Sequence, residues 1–215
     1  ERIVELARRV LPREAGPVIP RDYGTEPEAV AQQESCLTME VSTPQFLTGF
    51  KCRPAADGED YLRMAVLGDM ACDLLLGDSS PLYLRLYDQG LINTSFGGAF
   101  EMMPGVAYLY AGGDSRDGRA VAEEIQKEAR RLADEGFDED FYQQVRRAAF
   151  GSNLRGLNSF ENIAVSLTEG YFHGYDPFRF PQVFDSITQE DVRAFLRENI
   201  TPERAVLSRI EPKEA

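Results

Sequence analysis

The sequence is very poor in histidine, with one residue, His173, in a chain of 215. A catalytic zinc needs three protein ligands, and zincin-type motifs place two histidines and a glutamate at helical spacing. His173 and Glu169, four residues earlier, provide at most two donors. The sequence therefore predicts no metal site and no cofactor in this chain.

The scarcity of histidine also argues against the common nucleophilic sites. A Ser-His-Asp or Cys-His site would have to use His173, and no serine lies in a Gly-x-Ser-x-Gly sequence. The pairs Gly97-Gly98 and Gly112-Gly113 are not followed by Lys-Ser or Lys-Thr, as a phosphate loop requires. We therefore predict no catalytic residue.

Basic residues are few as well, since 23 Lys and Arg stand against 36 Asp and Glu, for a net charge of −13. Such a chain repels a phosphate backbone, which excludes nucleic acid as a partner. The charge favours solubility, with attraction of cationic peptides as the alternative. No apolar run reaches 18 residues and no leader peptide is visible. We therefore predict no membrane partner and a cytoplasmic location.

The three cysteines, Cys36, Cys52 and Cys72, are too few for a disulfide framework, and no Cys-x-x-Cys occurs. We expect buried, unreactive thiols in a reducing compartment.

The first 34 residues differ in character from the rest. Apolar residues at helical spacing in 1–10 predict a helix, and Pro12, Pro17 and Pro20 open a polar stretch that predicts a linker to Gln33. We divide the chain into residues 1–34, the tail of an inter-domain helix with a linker, and residues 35–215, a single domain. A chain that begins this way is expected to be the second part of a longer protein.

The remaining pattern indicates an α+β domain. Period-two alternation predicts strands, and helical spacing with caps and glycine stops predicts helices. The predicted strands are 36–41, 46–52, 94–102, 106–112 and 205–210. The predicted helices are 61–76, 80–89, 118–135, one capped by Asp138, 159–172 and one opened by Thr188. Because strand pairs and helix groups are segregated, we predict a mostly antiparallel sheet covered by helices on one face.

Several segments, in this order, resemble the insulinase/pitrilysin family of zinc metallopeptidases, which includes the mitochondrial processing peptidase. They are Leu74–Gly77, Ser79–Ile92, Tyr171–Gly174 with Pro177, Phe178 and Phe184, and Ile187–Val192. The resemblance extends from about Glu26 to Ile210 and is to the C-terminal, zinc-free half of such proteins. It implies the LuxS/processing-peptidase-like metallohydrolase fold.

The resemblance also implies a function. In this family two similar halves close like a clamshell, and the N-terminal half carries zinc on a His-x-x-Glu-His motif. This chain would then be inactive alone and would enclose and contact a peptide substrate. Its partner would be a zinc-bearing N-terminal domain of the same parent chain, a zinc metalloendopeptidase. A homodimer is left open as a further partner.

The family's zinc-free half can supply an arginine and a tyrosine, seven residues apart, that contact the substrate or the oxyanion. Arg85 is the candidate arginine, but Ile92 stands seven residues later. A shifted alignment places Asn93 at the tyrosine position, and Tyr87 lies close enough to substitute. The resemblance therefore implies Arg85, Tyr87 and Asn93 as substrate-binding residues. The alternative for Arg85 is an exposed helix arginine that pairs with an acid such as Asp88 or is solvated.

Two other functions stay open from the sequence. Relatives that have lost zinc in both halves act as scaffold or interaction proteins, and the missing tyrosine favours this alternative. The third is an unrelated α+β binding module. A zinc motif upstream in the parent chain separates the first two, and the order of the strands tests the third.

Overall fold

The strands of the protein form one mixed sheet in a computed structural model that describes residues 1–11, 16–17, 19 and 22–213. In chain order they are β1 (Glu34–Met39), β2 (Gln45–Cys52), β3 (Gly97–Met103), β4 (Val106–Asp114) and β5 (Ala205–Pro212). Their order across the sheet is β1-β5-β2-β4-β3. Only β1 and β5 pair in parallel, and the other neighbours are antiparallel. The predicted fold class is confirmed.

Helices make up most of the remaining structure. They are α1 (Arg2–Val10), α2 (Glu59–Leu76), α3 (Pro81–Asp88), α4 (Gly118–Glu135), α5 (Glu139–Gly156), α6 (Phe160–His173), α7 (Phe180–Ser186) and α8 (Gln189–Asn199), with short 3₁₀ turns at Pro177–Arg179 and Pro202–Arg204. The predicted linker from Pro12 to Gln33 lies partly outside the described residues. None of the described helices is long and apolar enough to cross a membrane.

The core lies between one face of the sheet and the helices. Side chains alternate along a strand, so Phe46, Thr48 and Phe50 of β2 all point to the same side, and all three are buried. Met70 and Leu74 of α2 are buried against this face in the same cluster. Each fully buried side chain of this size stabilises the fold by about 1.5–3 kcal/mol. We call this side of the sheet the helix face.

Caps decide where the helices start and stop. The Asp117 carboxylate accepts a hydrogen bond from the Ala120 amide at 3.0 Å, and α4 ends at Gly136, whose φ of 84° favours glycine. Thr188 and Asp191 form a capping box at the start of α8. These polar signals are visible in the sequence, and the predicted bounds of α4 are confirmed.

Two expectations were wrong, and one helix was not predicted. Strand β3 begins at Gly97 rather than at residue 94, because Asn93 accepts a hydrogen bond from the Ser95 amide and holds a turn there. Helix α7 was not predicted, since it has only seven residues and its buried Val183 and Phe184 depend on tertiary packing. Cys36 is exposed, not buried, because it lies on the edge strand β1.

Candidate functional site

The predicted arginine, Arg85, is tied to a neighbouring helix. Its Nη2 atom donates to Glu124 Oε2 at 3.3 Å and to Glu128 Oε2 at 3.4 Å, both on α4. Arg131 donates to the other oxygen of Glu128 at 2.7 Å. The guanidinium of Arg85 is therefore part of an ion-pair network between α3 and α4. The arginine is ion-paired, as in the alternative to substrate binding, but its partners are on α4 and Asp88 is not among them.

Glu128 is the buried centre of this network, with its side chain only 5% exposed. Burial alone raises the pKa of a carboxyl, but the hydrogen bond and charge of Arg131, together with those of Arg85, outweigh it. The pKa of Glu128 therefore lies below its usual value. The ion pair of Arg85 and Glu128 holds α3 against α4 as long as the Glu128 carboxyl stays ionised.

The other two predicted contact residues lie apart from this network. The Tyr87 ring is exposed and stacks on Tyr83 with 5.9 Å between ring centres. Asn93 accepts from the Ser95 amide at 2.7 Å and donates to Asp114 Oδ2 at 3.4 Å, and so ties the start of β3 to the end of β4. No hydrogen bond of the described residues joins Arg85, Tyr87 and Asn93 to one another.

A larger feature lies on the other side of the sheet, which we call the open face. It carries the alternate residues of the same strands, and Leu47, Tyr108 and Tyr110 stand out among them. A cavity of about 540 Å³ lies on this face. Its lining includes Gln32, Ser35, Leu47, Gly49, Lys51, Glu101, Tyr108, Tyr110, Val206 and Ser208. An elongated apolar ligand, such as an extended peptide or the apolar side chains along a helix, fits a cavity with this lining.

The open face was not predicted from the sequence. The signal was present, because aromatic Tyr108 and Tyr110 alternate with buried Leu109 in β4, and Leu47 alternates with Phe46 in β2. A strand that is apolar on both faces is normally covered on both. Only the order of the strands shows that these residues meet on one surface.

Lys51 fixes the end of the linker at the rim of the open face. Its ammonium group binds the Glu26 carboxylate and donates to the carbonyls of Pro27 at 2.9 Å and Ala29 at 3.1 Å. Three acceptors use the three N–H donors of a lysine. The segment before β1 is thereby attached to β2, two strands away in the sheet.

The only histidine has a structural role in the fold. His173 Nδ1 lies 2.9 Å from Asp57 Oδ1, and its ring stacks on Tyr61 with 3.9 Å between ring centres. Within the described part of the chain, no group of three or more His, Cys, Asp or Glu side chains is arranged to hold a metal ion. These donors do not fit a catalytic zinc, which needs three.

Comparison with known proteins identifies the family. The family model described as "Peptidase M16 inactive domain" matches residues 1–149, from α1 into α5. The chain belongs to this family. A curated relative of this M16 inactive domain is the uncharacterized zinc protease YmfH of Bacillus subtilis, 31% identical over 198 residues, which cover 92% of this chain and 46% of the relative. The predicted membership of a zinc metallopeptidase family is confirmed.

Solved structures share the fold. An M16-like peptidase from Alicyclobacillus acidocaldarius superposes with a TM-score of 0.89 at 22% identity, covering 99% of this chain and 51% of that chain. A protease from Helicobacter pylori gives 0.82 at 16% identity, covering 98% and 52%. An inactive peptidase domain from Bordetella parapertussis gives 0.67 at 18% identity, covering 83% and 96%. The M16 inactive domain described here thus spans about half the length of the first relatives it matches.

Proposed function

We propose that this chain is the non-catalytic half of a zinc-dependent peptidase, and that it encloses and contacts peptide substrate opposite a zinc-bearing half of the same parent protein. The observation that supports this most is the open face. Antiparallel sheets that face water normally carry polar residues on that side. Here Leu47, which lines the cavity, is 50% exposed. Leu37 lies on the same face, because Ile210 pairs with both Leu37 and Gln45, and it is 61% exposed. Exposed apolar side chains of this kind are typical of a surface that another body covers.

We infer that the remaining half of the parent protein lies opposite this face, with the substrate chamber between the two halves. The chain covers 46% of its curated relative and 51% of a solved one, so a further unit of similar length accompanies it in those proteins. Lys51 attaches the segment that precedes β1 to the rim of the same face. The segment that precedes β1 therefore enters the domain at the edge of the open face.

Zinc belongs, in this proposal, to the partner half. The donors of this chain do not fit a catalytic zinc, because His173 is paired with Asp57 and no third ligand accompanies them among the described residues. The chain would contribute a wall, not a reacting group. Zinc in the partner half would activate water and polarise the scissile carbonyl.

Arg85, Tyr87 and Asn93 remain predictions as substrate contacts. Tyr87 and Asn93 are exposed, and Asn93 has polar atoms at the end of the sheet. Arg85 could reach a peptide only by leaving Glu124 and Glu128, which would cost the two charge-assisted hydrogen bonds it makes there. Tyr87 and Asn93 are therefore the better-placed members of the three.

The experiment uses the parent chain and the 215-residue chain side by side. We expect the parent to contain about one zinc by metal analysis and to hydrolyse peptides, and the 215-residue chain to do neither. In the parent, Leu47→Glu on the open face should lower the rate about tenfold or more, since the charge loses its water when the chamber closes on a peptide. Leu84→Glu, on an equally exposed leucine of α3, should leave it unchanged.

Two results would count against this function. Stoichiometric zinc or peptidase activity in the 215-residue chain would contradict a non-catalytic domain. An unchanged rate in Leu47→Glu would contradict the open face as the wall of the substrate chamber.

The second candidate function is a scaffold or interaction protein of the same family. It is favoured by one observation, the engagement of Arg85 with Glu124 and Glu128 instead of a free guanidinium. A parent chain without zinc and without hydrolysis, but with an upstream half that still binds the open face, would establish this alternative. A cytoplasmic location is part of either proposal, and fractionation of cells expressing the parent tests it.

A further inference from the structure

The floor of the open-face cavity contains a glycine. Gly49 of β2 pairs with Tyr110 of β4 on one side and with Val206 of β5 on the other, and all three residues line the cavity. Because Gly49 has no side chain, the Tyr110 and Val206 side chains stand on either side of a depression, with Leu47 two residues along β2. An aliphatic or aromatic side chain of a ligand fits such an apolar depression.

The β3 side of the same cavity carries a carboxylate. Glu101 pairs with Tyr108 across the sheet, and both residues line the cavity. Its neighbour Phe100 is buried against Gly68 of α2, so the Glu101 side chain points to the open face. Glu101 is exposed, and none of the ion pairs within the described part of the chain uses it. The cavity therefore offers a carboxylate to a ligand.

The cation in the same cross-strand row is already engaged. Lys51 of β2 also pairs with Tyr108, from the other side, so the tyrosine stands between Lys51 and Glu101. The Lys51 ammonium binds three acceptors of the segment before β1. The row therefore holds a cation whose donors are used and a carboxylate without such a partner. This asymmetry favours a ligand that brings a positive charge to the β3 side.

The surroundings of Glu101 strengthen this preference. Burial raises the pKa of Tyr61 on α2, and the charges of Glu169, Asp57 and Glu101 raise it further. Three carboxylates thus act together at this edge of the domain. The net charge of −13 has the same sign and draws cations toward the molecule. Charge complementarity therefore favours a basic peptide as the ligand of the open face.

We propose that the open face selects peptides with an apolar side chain over Gly49 and a Lys or Arg side chain paired with Glu101; this inference rests on the proposed function as a wall of the substrate chamber. Glu101 lies two strands from Gly49 and two residues further along the sheet, a backbone separation of about 12 Å. In an extended peptide, side chains four residues apart lie on one side, about 13–14 Å from each other. The basic residue is therefore expected four positions from the apolar one, and Glu101 determines specificity without taking part in catalysis.

Peptide binding to the parent chain tests the proposal. The parent is treated with a zinc chelator, so that no peptide is cleaved, and binding is measured by fluorescence anisotropy at low salt, where exposed ion pairs are screened least. The peptides carry the label on their N-terminus, which removes that charge, and have leucine with lysine four positions later. We expect the lysine peptide to bind about fivefold more tightly than one with norleucine in its place, as for a strong exposed ion pair. Replacing the peptide leucine with alanine should weaken binding about tenfold.

Substitutions in the parent assign these preferences to single residues. Glu101→Gln should bind the lysine and norleucine peptides equally, and Glu101→Lys should instead prefer a peptide with glutamate at that position. Glu123→Gln, an exposed carboxyl on α4, is the matched control and should keep the fivefold preference expected for the native chain. Gly49→Val should remove the difference between leucine and alanine peptides, because it fills the depression. A Cβ at Gly49 would lie 3.4 Å from Val206 Cγ2, in van der Waals contact, so a side chain is accommodated there.

The outcomes separate this inference from the proposed function. A lysine preference that survives Glu101→Gln would come from the net charge of the chain and would overturn the inference. Absence of binding or of any preference in the native parent overturns it as well, including the case in which the upstream half itself occupies the open face. A parent that binds with the expected preferences but holds no zinc and cleaves nothing contradicts the peptidase function alone. A parent that cleaves peptides without regard to the lysine contradicts only the role of Glu101.

Discussion

The two faces of the sheet are built from the same strands and differ in almost everything else. On the helix face, Leu109 of β4 is fully buried and Phe50 of β2 packs in the same cluster. On the open face, Leu47 of β2 is half exposed, and Tyr108 and Tyr110 are only partly covered. Residues one position apart in the sequence therefore have opposite surroundings.

This difference separates what the domain needs for folding from what it keeps for a partner. The helix face is filled by the chain's own helices, so its apolar residues stabilise the isolated domain. The open face is also apolar, but none of the described helices covers it. Its residues contribute little until another body removes them from water.

The largest effect on the free energy of unfolding is expected when a leucine is replaced by alanine on the helix face, and the same replacement on the open face should have a much smaller effect. Leu109→Ala removes a fully buried side chain and should lower the free energy of unfolding by about 2–5 kcal/mol. Leu47→Ala removes a half-exposed one and should cost less than about 1 kcal/mol. Urea denaturation of both variants measures the contrast. Equal losses would show that the open face belongs to the folding core.

A pair of adjacent glycines sharpens the comparison. A Cβ at Gly98 would lie 2.6 Å from both Leu76 Cδ1 and the Tyr110 carbonyl oxygen, whereas nothing lies within 4 Å of one at Gly97. Gly98→Ala should therefore destabilise by about 1–3 kcal/mol through overpacking. Gly97→Ala should be neutral or should stabilise by up to about 1 kcal/mol, because it restricts the unfolded chain. Thermal unfolding of the two variants reports the difference, and a harmless Gly98→Ala would contradict the close packing of β3.

Local signals in the sequence account for most of the secondary structure. Asp117 and Gly136 bracket α4, and the turn at Pro104 and Gly105 places the hairpin of β3 and β4. Gly105 has a φ of 76°, which a tight turn of this kind requires. Caps and turns act over a few residues, so a single sequence shows them without an alignment.

The candidate site could not be predicted in the same way, because it depends on long-range pairing. The parallel contact of β1 and β5 joins Glu34 to Leu207, which are far apart in the chain. That pairing, with the order of the strands, is what assembles the open face. Arg85 was predicted to lie on the helix of residues 80–89. Its pairing with Glu124 and Glu128, however, depends on how α4 crosses α3.

The next effect on stability is expected at the buried carboxylate of Glu128, and this effect depends on pH. Because the pKa of Glu128 is lowered in the fold, its stabilisation is present above the ordinary carboxyl pKa and is lost as the pH falls through the folded value. Glu128→Gln should therefore cost about 1–3 kcal/mol at neutral pH, and the cost should shrink as the pH approaches about 3.

Unfolding curves from about pH 7 to about pH 3 measure this loss. Glu123→Gln, an exposed carboxyl on the same helix, is the matched control and should change stability little at any pH. A cost of Glu128→Gln that stays constant across this range would mean that packing, not the ion pairs with Arg85 and Arg131, sets the contribution of Glu128.

The ion pair of the open face should give the smallest effect on stability. Lys51 is partly exposed, and its partners Glu26, Pro27 and Ala29 belong to a segment outside the core. Lys51→Met should change the free energy of unfolding by less than about 0.5 kcal/mol. It should, however, release the segment before β1, and cleavage between Gly24 and Gln33 by a non-specific protease should become several-fold faster. Lys51→Arg keeps the charge and should stay closer to the native rate. A large loss of stability in Lys51→Met would place this segment within the folding unit, whereas unchanged cleavage would show that other contacts hold it at the rim of the open face.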